Sequence, residues 1–154
     1  MTTDISANSI HIRLAEEADF PQLVKLYREF ATFEKLPHRM INTVEKMKAE
    51  KDLFHCYVAE TPAKHIAGYV SCFHCYYTWS GKSFYMDDLY IQPAYRGQGL
   101  GTRLVETVIA YAKDSGCGKL RWQVSNWNTQ AIAFYKSLGA EIDNVERNCD
   151  LVLG

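Results

Sequence analysis

The sequence predicts a mixed α/β fold in which about four helices pack on a sheet of about six strands. Short runs of alternating or β-branched and aromatic residues recur along the chain, separated by stretches whose apolar residues return every three or four positions. The two kinds of segment do not alternate regularly. Their order is strand, two helices, three strands, helix, strand, helix, strand, which excludes a purely parallel βαβ sheet. The 154 residues, 47% of them apolar, suffice for one domain with a real core. No repeat, low-complexity tract or Pro/Gly/Ser linker marks a boundary, so a single domain over 1–154 is expected.

The elements follow in order. Residues 10–14 (IHIRL) alternate as a first strand. Asp19 is placed to cap a helix with Pro21 in its first turn, and Leu23, Leu26, Tyr27, Phe30 and Phe33 recur on its inner face. Thr43 to Lys51 reads as a short charged helix. FHCYVAE (54–60) and HIAGYVSCFHCYY (65–77) form a hairpin turning near Pro62, and SFYMDDLYI (83–91) is a further strand that Pro93 ends. The helix from about Gly99 to Ser115 carries the stripe Leu100, Leu104, Val105, Val108 and Ala112, with Gly116 as its stop. KLRWQVS (119–125) alternates as a strand. Asn128 is placed to cap the last helix, whose inner face is Ala131, Phe134, Tyr135 and Leu138 and whose stop is Gly139. The tail NCDLVL (148–153) reads as a final strand.

Composition excludes several functions. A net charge of −1 offers no field for nucleic acid or an anionic membrane. No apolar run reaches the ~18 residues of a membrane span, and the polar N-terminus MTTDISANS has no signal pattern, so a cytoplasmic protein is expected. Five cysteines, at 56, 72, 75, 117 and 149, form no disulfide framework. Cys72 and Cys75 make a CxxC around His74, but in a strand residues three apart point to opposite faces, so no metal is expected there.

The stretch FYMDDLYIQPAYRGQGLGTRL (84–104) carries the chemistry. Its strand, glycine-rich loop and helix form the arrangement that takes up a phosphate on bare backbone and unpaired N–H groups at a helix start. No Lys-Ser/Thr follows the last glycine, as a nucleotide triphosphatase needs, and glycines at 97, 99 and 101 do not fit GxGxxG. Taken alone the glycines also suit a ligand-free helix entry. Arg96-Gly97-Gln98-Gly99-Leu100-Gly101 resembles the pyrophosphate-binding motif of the GNAT superfamily of N-acetyltransferases, and the predicted element order is similar to that fold's. YMDDLYIQPAYRGQGLG and WNTQAIAFYKSLGA resemble the two signature segments of its diamine group, the spermidine/spermine and thialysine acetyltransferases, and FHCYVAE and TWSGKSFY fit the same pattern.

The resemblance, which covers the chain to about Ala140, implies one domain with a twisted mixed sheet of six to seven strands flanked by about four helices. It implies acetyl-CoA as donor, without a metal. Main-chain contacts to the donor fall to Leu89, Tyr90 and Ile91, the pyrophosphate to Arg96, Gly97, Gln98, Gly99, Leu100, Gly101 and Thr102, and further donor contacts to Asn128, Gln130, Ala131 and Tyr135. Tyr135 takes the position of the general acid that protonates the leaving thiolate, although its spacing alone also suits a core tyrosine. Asp87 takes the position of an acid, usually Glu in the group, associated with amine binding or proton removal, and its shorter arm would sit further from the amine, acting on it directly or through water. In a regular strand Asp87 shares a face with Tyr85 and Leu89, and Asp88 with Met86 and Tyr90, unless a bulge intervenes. Asp88 is expected to be a paired structural acid.

The implied acceptor is a primary amine of a small molecule, either a diamine or polyamine or a lysine-like amino acid. Phe33 and Glu34 fall where the group has an aromatic and an acid near the amine, and Arg121, Trp122 and Gln123 are placed with the acceptor. Lys35 and Arg39 stand where polyamine enzymes tend to be acidic, so an acceptor with one amine and one carboxylate, which Arg121 or Arg147 could pair, is at least as consistent with the sequence as spermidine. Protein or peptide acetylation and a non-catalytic CoA-binding module are the alternatives. The resemblance also implies a homodimer, with a pocket near its interface.

Overall fold

The computed structural model describes residues 7–154. Its elements are β1 (His11–Leu14), α1 (Phe20–Phe33), α2 (Val44–Ala49), β2 (His55–Glu60), β3 (Ile66–Tyr77), β4 (Gly81–Ile91), α3 (Leu100–Asp114), β5 (Leu120–Trp122) and α4 (Thr129–Ser137), with short 3₁₀ turns between some of them. The chain divides into two compact units. One runs to Gln123 and holds the whole sheet; the other is Val124–Gly154 and holds α4.

The sheet has five strands in the order β1-β2-β3-β4-β5. The first four pair antiparallel and β4 pairs β5 in parallel, as the crossover through α3 requires. The mixed α/β class expected from the sequence is therefore observed, with fewer strands than the expected six to seven. The tail is the difference. Among the described residues, 138–154 form no helix or strand, and Leu151, Val152 and Leu153 are exposed. These three apolar residues are contiguous, so they favour neither face of a ladder over the other. The predicted 119–125 strand likewise stops at Trp122.

Each face of the sheet buries its own helices. On one, Leu23 and Leu26 of α1 and Met47 of α2 pack in one cluster with Val58, Ile66 and Tyr69. α3 lies against β2, β3 and β4 and carries the expected buried stripe of Leu100, Leu104, Val105, Val108 and Ala112. Truncating any of the fully buried leucines costs about 2–5 kcal/mol. Thr43 caps α2 by accepting the Lys46 N–H at 3.1 Å, and Asn128 caps α4 by accepting the Ala131 N–H at 3.2 Å. Asp19 stands at the cap position of α1 but does not cap it. Arg13 takes both of its carboxylate oxygens, at 2.7 and 2.8 Å, and the Glu16 N–H donates to it at 2.7 Å. The guanidinium holds this acid below its ordinary pKa, a stronger partner than a neutral helix amide.

β4 has two features that shape what lies beside it. First, Asp88 stands opposite Ser71 and Met86 opposite Cys72, so Asp87 is a surplus residue, a β-bulge. Second, the parallel pairing with β5 ends at Met86 and Trp122, so on that edge Asp87 to Ile91 have no strand neighbour among the described residues. Toward its start, β4 and the end of β3 form a long hairpin arm beyond the reach of β2, with Phe73 stacked on Tyr85 at 5.1 Å and Trp79 fully exposed near the tip. At the other end the strands approach closely. A Cβ on Gly68 would lie 2.7 Å from the Tyr90 carbonyl and 2.6 Å from the Ile91 side chain.

Candidate active site

The bulge re-phases β4. Tyr85 and Asp87 before it, and Asp88 and Tyr90 after it, all present themselves to the face that α1 covers. There Tyr85 stacks on Phe73, Tyr90 packs on Phe30 at 5.4 Å, and both acids line one cavity of about 400 Å³. The cavity wall comes from Tyr27 and Phe30 of α1, Met47 of α2, and Ser71 and Phe73 of β3. Its charged groups are Glu34, Asp87, Asp88 and Arg39. The two carboxylates do not face opposite ways, and the expectation that Asp88 is a paired structural acid is corrected. Its partner is the Tyr69 hydroxyl, which donates at 3.3 Å, and no ion pair to it occurs among the described residues.

Electrostatics distinguish the two acids. Burial pushes the Asp88 carboxyl up to about 7, with the charges of Asp87 and Glu34 adding to the rise and the Tyr69 hydrogen bond opposing it. Asp87 is raised by burial alone, although the residue as a whole is exposed. One member of the pair is therefore matched to proton exchange near neutral pH, and both attract a cation. Arg39 adds a positive charge to the same wall.

The glycine loop is bare backbone. Gly97 (φ 78°) and Gly99 (φ 79°) are left-handed, and a Cβ on either would meet nothing within 4 Å. The first main-chain bond of α3 runs from the Arg103 N–H to the Gly99 carbonyl at 3.1 Å, so the amides of Leu100, Gly101 and Thr102 precede the ladder. The Gln98 side-chain oxygen is buried without a hydrogen-bond partner. Bare, open backbone, a helix start and an unsatisfied amide fit a ligand with phosphates and polar groups. The Arg96 side chain turns the other way. Its Nε donates to the Ile91 carbonyl at 2.8 Å, and its guanidinium carbon lies 5.2 Å from the Phe33 ring and 5.6 Å from that of Tyr90.

The remaining predicted residues are dispersed. Phe33 is exposed and stacks on Phe30, while Glu34 reaches the cavity. Arg121 lies over the Tyr77 ring at 4.5 Å, Trp122 stands opposite Met86 at the end of β5, and Gln123 follows it; none of the three lines the cavity. In the second unit Gln130 and Ala131 open α4 and Tyr135 is buried on it. Asp88 and Arg39 are the charged cavity residues that sequence reasoning did not assign to the acceptor. For Asp88 the available signal was two adjacent acids in an apolar strand, which a bulge can serve and plain alternation cannot.

Comparison with known proteins defines the class. The profile of the Acetyltransferase (GNAT) family matches residues 20–140, and the chain belongs to that family. It is an N-acetyltransferase. Thialysine N-epsilon-acetyltransferase of Mus musculus is 38% identical over 144 residues, 86% of this chain and 85% of its own. The protein of the same name from Sus scrofa is 38% identical over 143 residues, 86% of this chain and 84% of its own. An aminoglycoside acetyltransferase from an uncultured soil sample, solved with sisomicin, shares the fold at a TM-score of 0.79 and 21% identity, covering 94% of this chain and 98% of its own.

Proposed function

We propose that the chain, acting as one domain over 1–154, transfers an acetyl group from acetyl-CoA to the distal primary amine of a small amino acid. The observation that carries this reading is the cavity in which Asp87, Asp88 and Glu34 share a wall with Arg39. Three acids suit an ammonium, and one guanidinium suits a carboxylate on the same molecule. A polyamine would meet Arg39 as a repulsive charge. The name of the mouse relative, which specifies thialysine, points the same way.

Bound acetyl-CoA supplies the acetyl group as an activated thioester. In this chain the amides from Gly97 to Thr102 would hold its pyrophosphate, the edge of β4 at Leu89 and Ile91, which β5 does not cover, would offer main-chain partners to its arm, and Asn128, Gln130 and Ala131 would add contacts. An amine of pKa ~10.4 is almost wholly ammonium at pH 7, and reaching the neutral nucleophile costs about 4–5 kcal/mol. Asp87, at the open side, receives the ammonium. Asp88, whose carboxyl titrates at about 7, takes its proton directly or through water. Tyr135 holds the phenolic proton that the departing thiolate needs. The enzyme works in the cytoplasm as a homodimer.

Thiol release measured with lysine, thialysine, ornithine, putrescine and spermidine tests the reading. The amino acids are expected to turn over faster than the diamines, and Arg39→Gln to raise KM for the amino acids about ten-fold without raising it for putrescine. Absence of turnover on every amine overturns the proposal.

A further inference from the structure

On the face of the sheet opposite the cavity, a second group of reactive side chains is assembled, and acetyl transfer makes no use of it. Strand alternation separates the two, because Phe73 lines the cavity and its neighbour His74 points to the α3 side. There the His74 Nδ1 lies 3.8 Å from the Cys117 Sγ, and its Nε2 lies 3.2 Å from the hydroxyl of Tyr111 on α3. The ring of His55 packs on Tyr111 at 4.4 Å and stands edge-on to His74 at 6.1 Å. Thus the histidine of the CxxC meets neither of the flanking thiols; it meets the cysteine that follows α3.

We propose that Cys117 is a nucleophilic thiol served by His74 and oriented through Tyr111, and that it is a modification site for low-molecular-weight disulfides. Thiol, imidazole and hydroxyl stand in the order of nucleophile, base and orienting group. With the ring proton on Nε2, donated to the Tyr111 oxygen, Nδ1 is free to accept. The thiol proton passes to Nδ1 as Sγ attacks one sulfur of the disulfide. A new S–S bond forms, the old one breaks, and the departing thiolate takes the proton from the imidazolium. Cys117 is oxidised to the mixed disulfide, and one half of the reagent is reduced to its thiol. Access is open: Cys117 is half-buried between Gly116 and Gly118, and a Cβ on either glycine would meet nothing within 4 Å. The buried thiols are poor competitors, since burial raises the pKa of both Cys56 and Cys72, the latter to about 12. Cys149, which is exposed, is the internal control.

The full-length enzyme is treated with oxidised glutathione, and mixed-disulfide formation at each cysteine is followed by peptide mass spectrometry. Cys117 is expected to react about ten-fold faster than Cys149. His74→Gln is expected to remove that advantage, and Tyr111→Phe to reduce it, both without changing the rate at Cys149. Reaction at Cys117 no faster than at Cys149, or a rate at Cys117 that neither variant alters, overturns the proposal. His74 is exposed and Tyr111→Phe removes one atom, so at least one variant folds for the comparison.

Discussion

Asp88 combines burial with two like-charged neighbours, and that combination has a signed consequence for stability. Its carboxyl is raised from an ordinary value of 3.8 to about 7, so between those limits the folded chain binds more protons than the unfolded chain. Stability therefore falls as pH rises through that window, and the full penalty stands above pH 7. Asp88→Asn cannot ionise. It is expected to be about 1–3 kcal/mol more stable than the parent at pH 8 and nearly equal to it at pH 4, as read by urea denaturation at both values. For activity the sign reverses. In the proposed reaction the ionised form is the proton acceptor, so kcat/KM of the parent is expected to fall as pH drops below 7, and the variant to lose both this limb and about 100-fold in rate. A retained acidic limb would remove Asp88 from the role. At this scale the sequence was half legible. Regular alternation puts Asp87 and Asp88 on opposite faces unless a bulge intervenes; the bulge is there, and its one surplus residue resets the phase so that both line the cavity.

At the level of elements, the helices and the first four strands were read to within about two residues, and the misses are β5 and the tail. The stripe from Leu100 to Ala112 places α3 within a residue of its observed ends, because a 3.6-residue period over four turns is self-checking. β5 keeps three of seven predicted residues, because whether a strand continues depends on a neighbour that local pattern does not report. Gly68 is a case where backbone proximity sets the residue. Adding one methyl there drives it into the Tyr90 carbonyl, so Gly68→Ala is expected to destabilise the fold by about 2 kcal/mol and lower Tm by several degrees in calorimetry. An unchanged Tm would mean that β3 and β4 separate at little cost.

For the molecule as a whole, the family profile spans residues of both compact units. Tyr135 lies in the second. Tyr135→Phe is expected to lower kcat about 100-fold while leaving the affinity for acetyl-CoA, measured by calorimetry, within two-fold. Loss of affinity equal to the loss of rate would instead make Tyr135 a binding residue. The fold class and the glycine loop before α3 were legible because glycines at 97, 99 and 101 followed by a helix stripe form a local pattern. The cavity was not, because Tyr27, Arg39, Ser71 and Asp88 are brought together only by packing α1 on the sheet.

The bulge in β4 also makes the chain one residue longer than its own ladder requires. Removing Asp87 would leave Asp88 facing Ser71 and Met86 facing Cys72, so every cross-strand pair is kept while the irregularity disappears. A 153-residue deletion form is therefore expected to fold at least as well as the parent and to have lost its acetyltransferase activity. Seen in this way, the pair of acids on the cavity wall is the product of an insertion: a chain-length change of one, with no substitution at all, decides whether Asp87 stands there.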